Sequence, residues 1–110
     1  GLILRESPKE SFETADALIF KVENSSKALS CRNELLKENI STKILPEATT
    51  WHFAGYWNHM PELISKHKNL SKSFLKSKAI LECAVSIPIL VNMPDDVPKK
   101  IRKAITCAIK

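Results

Sequence analysis

The sequence predicts an α+β fold, a two-layer domain in which a sheet of three or four strands carries about three helices packed on it. Short apolar runs with β-branched residues recur at 17–22, 42–45 and 85–91, and stretches with helical spacing lie between and after them. A chain of 110 residues fits a single domain with one modest core. Its apolar fraction of 44% and charged fraction of 26% belong to a folded chain rather than a disordered one.

Residues 1–16 read as an N-terminal strand and linker. Leu2 to Leu4 are apolar enough for a short strand, whereas Glu6 to Thr14 switch to Ser, Pro, Lys and Glu. The domain proper is expected over 17–110. Ala17 to Val22 form a buried strand, and Glu23-Asn24-Ser25-Ser26 supply the cap of a helix. That helix carries Ala28, Leu29, Leu35, Leu36 and Ile40 among charged residues and ends near Asn39, a residue able to turn left-handed. Thr42 to Leu45 is expected to return as a strand beside the first, through the helical crossover.

From Pro46 to Met60 no periodicity is sustained, so a loop is expected. Pro61 to Ile64 open a turn of helix, and Leu70, Phe74, Leu75, Ala79 and Leu81 mark a longer one that runs to about Cys83. Val85 to Val91 has strand composition, but Pro88 has no amide hydrogen, which places the strand at an edge or breaks it there. Val97, Ile101, Ala104, Ile105 and Ala108 then repeat at helical spacing behind Asp95 and Asp96, whose charges suit a helix start. The expected core is Val22, Leu29, Leu36, Phe74, Leu81, Ile87, Ile101 and Ile105.

No run of about 18 apolar residues occurs, and the first residues lack the order of a signal peptide, so no membrane association and a cytoplasmic location are expected. Cys31, Cys83 and Cys107 are widely spaced and each lies among helix formers, which predicts buried free thiols. Seventeen basic residues against twelve acidic give a net charge of +5. The excess lies at Lys66, Lys68, Lys72, Lys76 and Lys78 and at Lys99, Lys100, Arg102, Lys103 and Lys110. Both groups fit the solvated faces of amphipathic helices. They also admit a competing function: a free-standing basic module that binds single-stranded nucleic acid and stacks bases on Trp51, Phe53, Tyr56 or Trp57.

Both tryptophans, the only tyrosine and two of the three histidines fall within 51–60. Trp and Tyr join an apolar body to a polar tip, and His donates, accepts or titrates near neutrality, so this stretch suits a polar ligand. Its candidate substrate-binding residues are Trp51, His52, Tyr56, Asn58 and His59. The histidine spacings of seven and eight match no short zinc motif, and no metal site is expected. With glycine at only two positions, Gly1 and Gly55, a phosphate-cradling loop is excluded.

Several of these segments, in this order, resemble the C-terminal small domain of the DegT/StrS-type aminotransferases, pyridoxal-phosphate enzymes that aminate keto sugars. The resemblance runs from Ala17 to Lys110. It is carried by a strand and a helix ending in Glu38-Asn39-Ile40-Ser41, by the histidine-aromatic pair His52-Phe53, by Val85-Ser86-Ile87-Pro88-Ile89, and by the helix opening Met93-Pro94-Asp95-Asp96. The long loop from Trp51 to Met60 is most similar to the branch that acts on eight-carbon keto-sugar acids. Pro46 to Thr50 lengthen the family's usual loop, and Trp57 lies near the place of its second histidine, with His59 following.

The resemblance implies an enzyme whose cofactor is pyridoxal phosphate, held by a large domain that supplies the Schiff-base lysine and the aspartate that pairs with the pyridinium nitrogen. No lysine here stands in a matching context, so the chain by itself is expected to be inactive and to hold neither catalytic nor cofactor-binding residues. Its implied partners are that large domain, a keto-sugar substrate, an amino-acid donor and a second subunit in a homodimer. The loop would contribute His52 to a substrate hydroxyl or carboxylate, the aromatic faces of Trp51 and Tyr56 to the sugar skeleton, and Asn58 and His59 to a polar rim.

Overall fold

A computed structural model describes residues 1–44, 47 and 52–110. Four strands form one antiparallel sheet: β1 (Ile3–Leu4), β2 (Ala17–Lys21), β3 (Lys43–Ile44) and β4 (Ala84–Pro88), in the order β1-β2-β4-β3. The described helices are α1 (Ser25–Lys37), α2 (Pro61–Lys66), α3 (Leu75–Glu82) and α4 (Val97–Ala108), with single 3-10 turns at Ala54–Tyr56 and Leu70–Lys72. This is the expected α+β architecture.

Alternation along the strands fixes which face is covered. Phe20, Val22, Ile44, Val85 and Ile87 point to one side, where they join Ala28, Cys31 and Leu35 of α1 and Ala104 of α4 in the buried core. Leu18 lies partly buried on the same side. Ile19, Lys21, Lys43 and Ser86 fall on the opposite side. Ala28, Cys31 and Leu35 of α1 are each 0% exposed and Ala104 of α4 is 2% exposed, and the two helices pack on each other.

The ends of α1 show why the chain turns where it does. Asn24 accepts a hydrogen bond from the Lys27 amide at 2.9 Å and caps the first turn. At the other end Asn39 is left-handed, with φ 58. Its amide donates to Leu36 O at 3.0 Å and the Ile40 amide to Leu35 O at 2.9 Å, which is the Schellman pattern with its apolar contact between Ile40 and Leu35.

Several expectations are corrected. Leu29 and Leu36, expected in the core, are each 44% exposed; the buried stripe of α1 is Ala28, Cys31 and Leu35. Both stripes have helical spacing, and the buried one joins the core that the sheet and α4 share. β3 does not pair with β2, because β4 inserts between them and bonds both. The strand ends at Pro88 as expected but is central rather than at an edge; Pro88 is its last residue, so no interior ladder bond is lost. Leu45, the last residue of the expected strand at 42–45, lies outside the described residues. The expected long helix from Leu70 is divided, with a 3-10 turn at Leu70–Lys72 and α3 beginning only at Leu75. Phe74, between them, is 38% exposed rather than in the sheet core. Cys107 is exposed and Cys83 half-buried; only Cys31 is fully enclosed, and burial pushes its thiol pKa up.

Leu35→Ala is therefore expected to lower stability by about 2–5 kcal/mol in denaturant unfolding, and Leu29→Ala by less than about 0.5 kcal/mol. Equal losses would contradict the helix face. Iodoacetamide at neutral pH should label Cys107 first and Cys31 only in the unfolded chain, as peptide mass mapping would show.

Candidate functional site

The aromatic and histidine stretch folds on itself. Tyr56 N donates to Phe53 O at 3.0 Å, Trp57 N to Ala54 O at 3.1 Å, Asn58 N to Tyr56 O at 2.9 Å, and Met60 N to Trp57 O at 3.1 Å. These successive turns deliver the chain into α2, where Pro61 takes the first position and loses no helical bond there. After α2, Asn69 caps the next turn by accepting from the Lys72 amide at 3.2 Å. The two 3-10 turns pack on each other.

Phe53 is the centre of this lobe, at 3% exposure. Tyr56 meets its ring edge-on with centroids 5.8 Å apart and Phe74 does so at 6.4 Å; His67 lies against Phe74 at 4.9 Å. Gly55 sits directly on the Phe53 ring. A Cβ at position 55 would fall 2.3 Å from Phe53 Cε1, so glycine is required for the close approach and not for an unusual φ.

The proposed site residues separate accordingly. His52, Asn58 and His59 are exposed, Tyr56 keeps 44% of its surface open while its ring edge anchors on Phe53, and Trp57 is half-buried. Trp51 lies outside the described residues, as do all of 48–50. The structure adds His67, Leu70, Ser73 and Phe74 to the neighbourhood. Ser73 Oγ lies 3.2 Å from His67 Nδ1 and donates to Asn69 O at 3.0 Å. Phe74 is expected in the main core from its helical spacing, and His67 enters the sequence only through histidine spacings that match no zinc motif; no local pattern marks Phe74 as a partner of Phe53 or His67 as a partner of Phe74.

Charge around the lobe is positive. Lys66, Lys68 and Lys72 are exposed and make no ion pair among the described residues. The C-terminal basic group is partly neutralised, since Lys100 pairs with Asp96 at 2.7 Å and Lys103 with Glu38 at 2.5 Å. Phe53 is too enclosed to stack on a base. Among the described residues no three metal-ligating side chains converge, and no helix is long and apolar enough to cross a membrane. No protein-family model matches the chain, and no curated protein is significantly similar to it.

What the arrangement can do chemically is bind. It offers exposed imidazoles, an amide and a half-open phenol on a rigid aromatic base, flanked by lysines that suit an anionic group. Gly55→Ala should displace the Phe53 ring and destabilise the protein by about 1–3 kcal/mol. Near-UV circular dichroism should change as the edge-on ring pairs separate, and an unchanged spectrum and midpoint would show that the ring has room to move.

Proposed function

We propose that the chain is the C-terminal small domain of a DegT/StrS-type, pyridoxal-phosphate-dependent sugar aminotransferase, active in the cytoplasm in making sugars for cell-surface polysaccharide. An eight-carbon keto-sugar acid is the favoured substrate. The observation that carries this reading is the ordered series of segments from Ala17 to the helix at Val97. It is supported by an α+β sheet whose helices α1 and α4 lie on one face.

Surface area adds a second support. The chain exposes 8253 Å² at 12.4 kDa, where a folded monomer of that mass exposes about 6,100 Å². Its radius of gyration is 16.1 Å, against about 13 Å for a compact chain of this length. Part of the excess belongs to the exposed stretch at 5–16. Part is apolar: Ile3, Leu4, Leu75 and Ile80 are 61%, 58%, 61% and 52% exposed, and a cleft of about 450 Å³ opens between β1, β2 and α3. A domain that packs against a large domain needs such a surface.

Three of the chain's lysines do not suit the cofactor's Schiff base. A Schiff-base lysine needs its pKa lowered by burial or a neighbouring cation, whereas Lys37, Lys100 and Lys103 are pushed the other way by hydrogen bonds from their ammonium groups to Glu34, Asp96 and Glu38. Cofactor and chemistry are assigned to the large domain, and the homodimer to the complete enzyme. The contribution here is the substrate-facing loop. His52 donates to a sugar hydroxyl or to the carboxylate, Trp51 and Tyr56 supply apolar faces, and Asn58 and His59 form the rim. The lysines beside the loop favour an acidic sugar.

The test is made in the complete protein with the keto-sugar acid and an amino donor. His52→Ala is expected to raise KM several-fold while lowering kcat less, because the residue binds but does not transfer the proton at the reacting carbon. Kinetics unchanged within about twofold would remove the loop from the site. The separate chain should retain no pyridoxal-phosphate absorbance after gel filtration, and retention would overturn the assignment.

A further inference from the structure

Phe74 is left-handed, at φ 61 and ψ 30, a conformation that a bulky aromatic residue seldom adopts. Among the described residues three other non-glycine residues are of this kind. Asn39 closes a helix, where the conformation is normal, and Glu10 and Ala15 lie in the exposed N-terminal stretch. Phe74 alone interrupts a segment whose sequence has helical spacing throughout.

Nothing in the local chemistry requires that interruption. Between Pro61 and Pro88 there is neither glycine nor proline, and Leu70, Phe74 and Leu81 share one helical face. Asn69 already caps the turn at Leu70–Lys72. Only Ser73, at φ −79 and ψ 157, and Phe74 depart from helical backbone between that turn and α3. The break is held by tertiary contacts. The Phe74 ring meets Phe53 at 6.4 Å and 88° and His67 at 4.9 Å. Ser73 Oγ lies 3.0 Å from Asn69 O, to which it donates, and 3.2 Å from His67 Nδ1.

We propose that Ser73 and Phe74 form a two-state hinge. In the broken form the Phe74 ring closes over Phe53. In the joined form both residues turn right-handed, the turn at Leu70–Lys72 and α3 become one helix capped by Asn69, and the Phe74 ring leaves Phe53. Strain at a left-handed aromatic residue and the gain from two ring contacts are of similar size, which makes both forms accessible. Because Phe53 and Tyr56 belong to the turns that present His52, Asn58 and His59, a ligand that holds those turns in place favours the broken form. The hinge stands on geometry alone and does not depend on which ligand the loop takes.

Amide hydrogen exchange in the full chain distinguishes the forms. In the broken form Leu75, Lys76 and Ser77 occupy the first turn of α3 and their amides have no helical acceptor; the first bond is Lys78 N to Phe74 O at 3.0 Å. In the joined form the carbonyls of Ser71, Lys72 and Ser73 accept from them. Phe74→Ala, which keeps the left-handed penalty but removes the ring, should slow exchange of these three amides at least tenfold. Phe53→Leu, which removes the ring edge that Phe74 meets, should slow them in the same direction. Phe74→Gly, free to stay left-handed, should exchange them at the wild-type rate. Wild-type rates in both Phe74→Ala and Phe53→Leu would overturn the hinge. So would loss of amide protection in α1 and β4 in those variants, since a hinge side chain can be replaced without unfolding the sheet core.

Discussion

The close approach of α1 and α4 above one face of the sheet is the constraint on which the rest of the structure depends. Both helices bury residues in the core shared with the sheet, among them the small side chains Ala28, Cys31 and Ala104. Larger residues then close the layer: Leu35 from α1, Ile101 and Ile105 from α4, and Phe20, Val85 and Ile87 from below. The Schellman turn at Asn39 sends the chain back toward the sheet, where β3 takes its place beside β4. An ion pair between Lys103 and Glu38 ties α4 to the end of α1, although an exposed pair of this kind adds little stability. On the second face of the sheet Ile80 and Leu81 of α3 share a cleft with Ile3, Leu4, Ile19 and Lys21.

The aromatic loop solves a separate packing problem away from this core. Phe53, with Gly55 against its ring and Tyr56 and Phe74 in T-shaped contact with it, forms a small apolar centre for the segment from 52 to 74. That centre divides the cluster into two kinds of residue. Phe53 is consumed by packing, while His52, Asn58, His59 and the open side of Tyr56 remain available to a ligand. A surface of exposed polar tips on an anchored aromatic base loses less entropy on binding than a loose loop would. The proposed hinge at Phe74 uses the same contacts, so loop position and helix continuity are linked through a single ring.

Much of the local structure was legible in the residues. Asn24 and Asn39 mark the ends of α1 by their chemistry, Pro88 marks the end of β4, and the stripe Val97, Ile101, Ala104, Ile105 and Ala108 identifies the face of α4. The cluster of aromatic and histidine residues was legible as a group, and the structure leaves its members His52, Asn58 and His59 exposed. The role of Phe53 was not, since burial depends on Phe74, a residue distant in sequence whose own helical spacing pointed to the main core.

By itself, then, the sequence determined the fold class, the caps and the position of the strand break. These rest on local physical chemistry: backbone freedom at Asn39, the missing donor of Pro88, and apolar periodicity. Tertiary structure alone decided which of two stripes on α1 is buried, that β4 and not β2 pairs with β3, and that the helix from Leu70 is interrupted at Phe74. Each of those outcomes turns on contacts between residues far apart in the chain, where two arrangements satisfy the local rules equally and packing selects one.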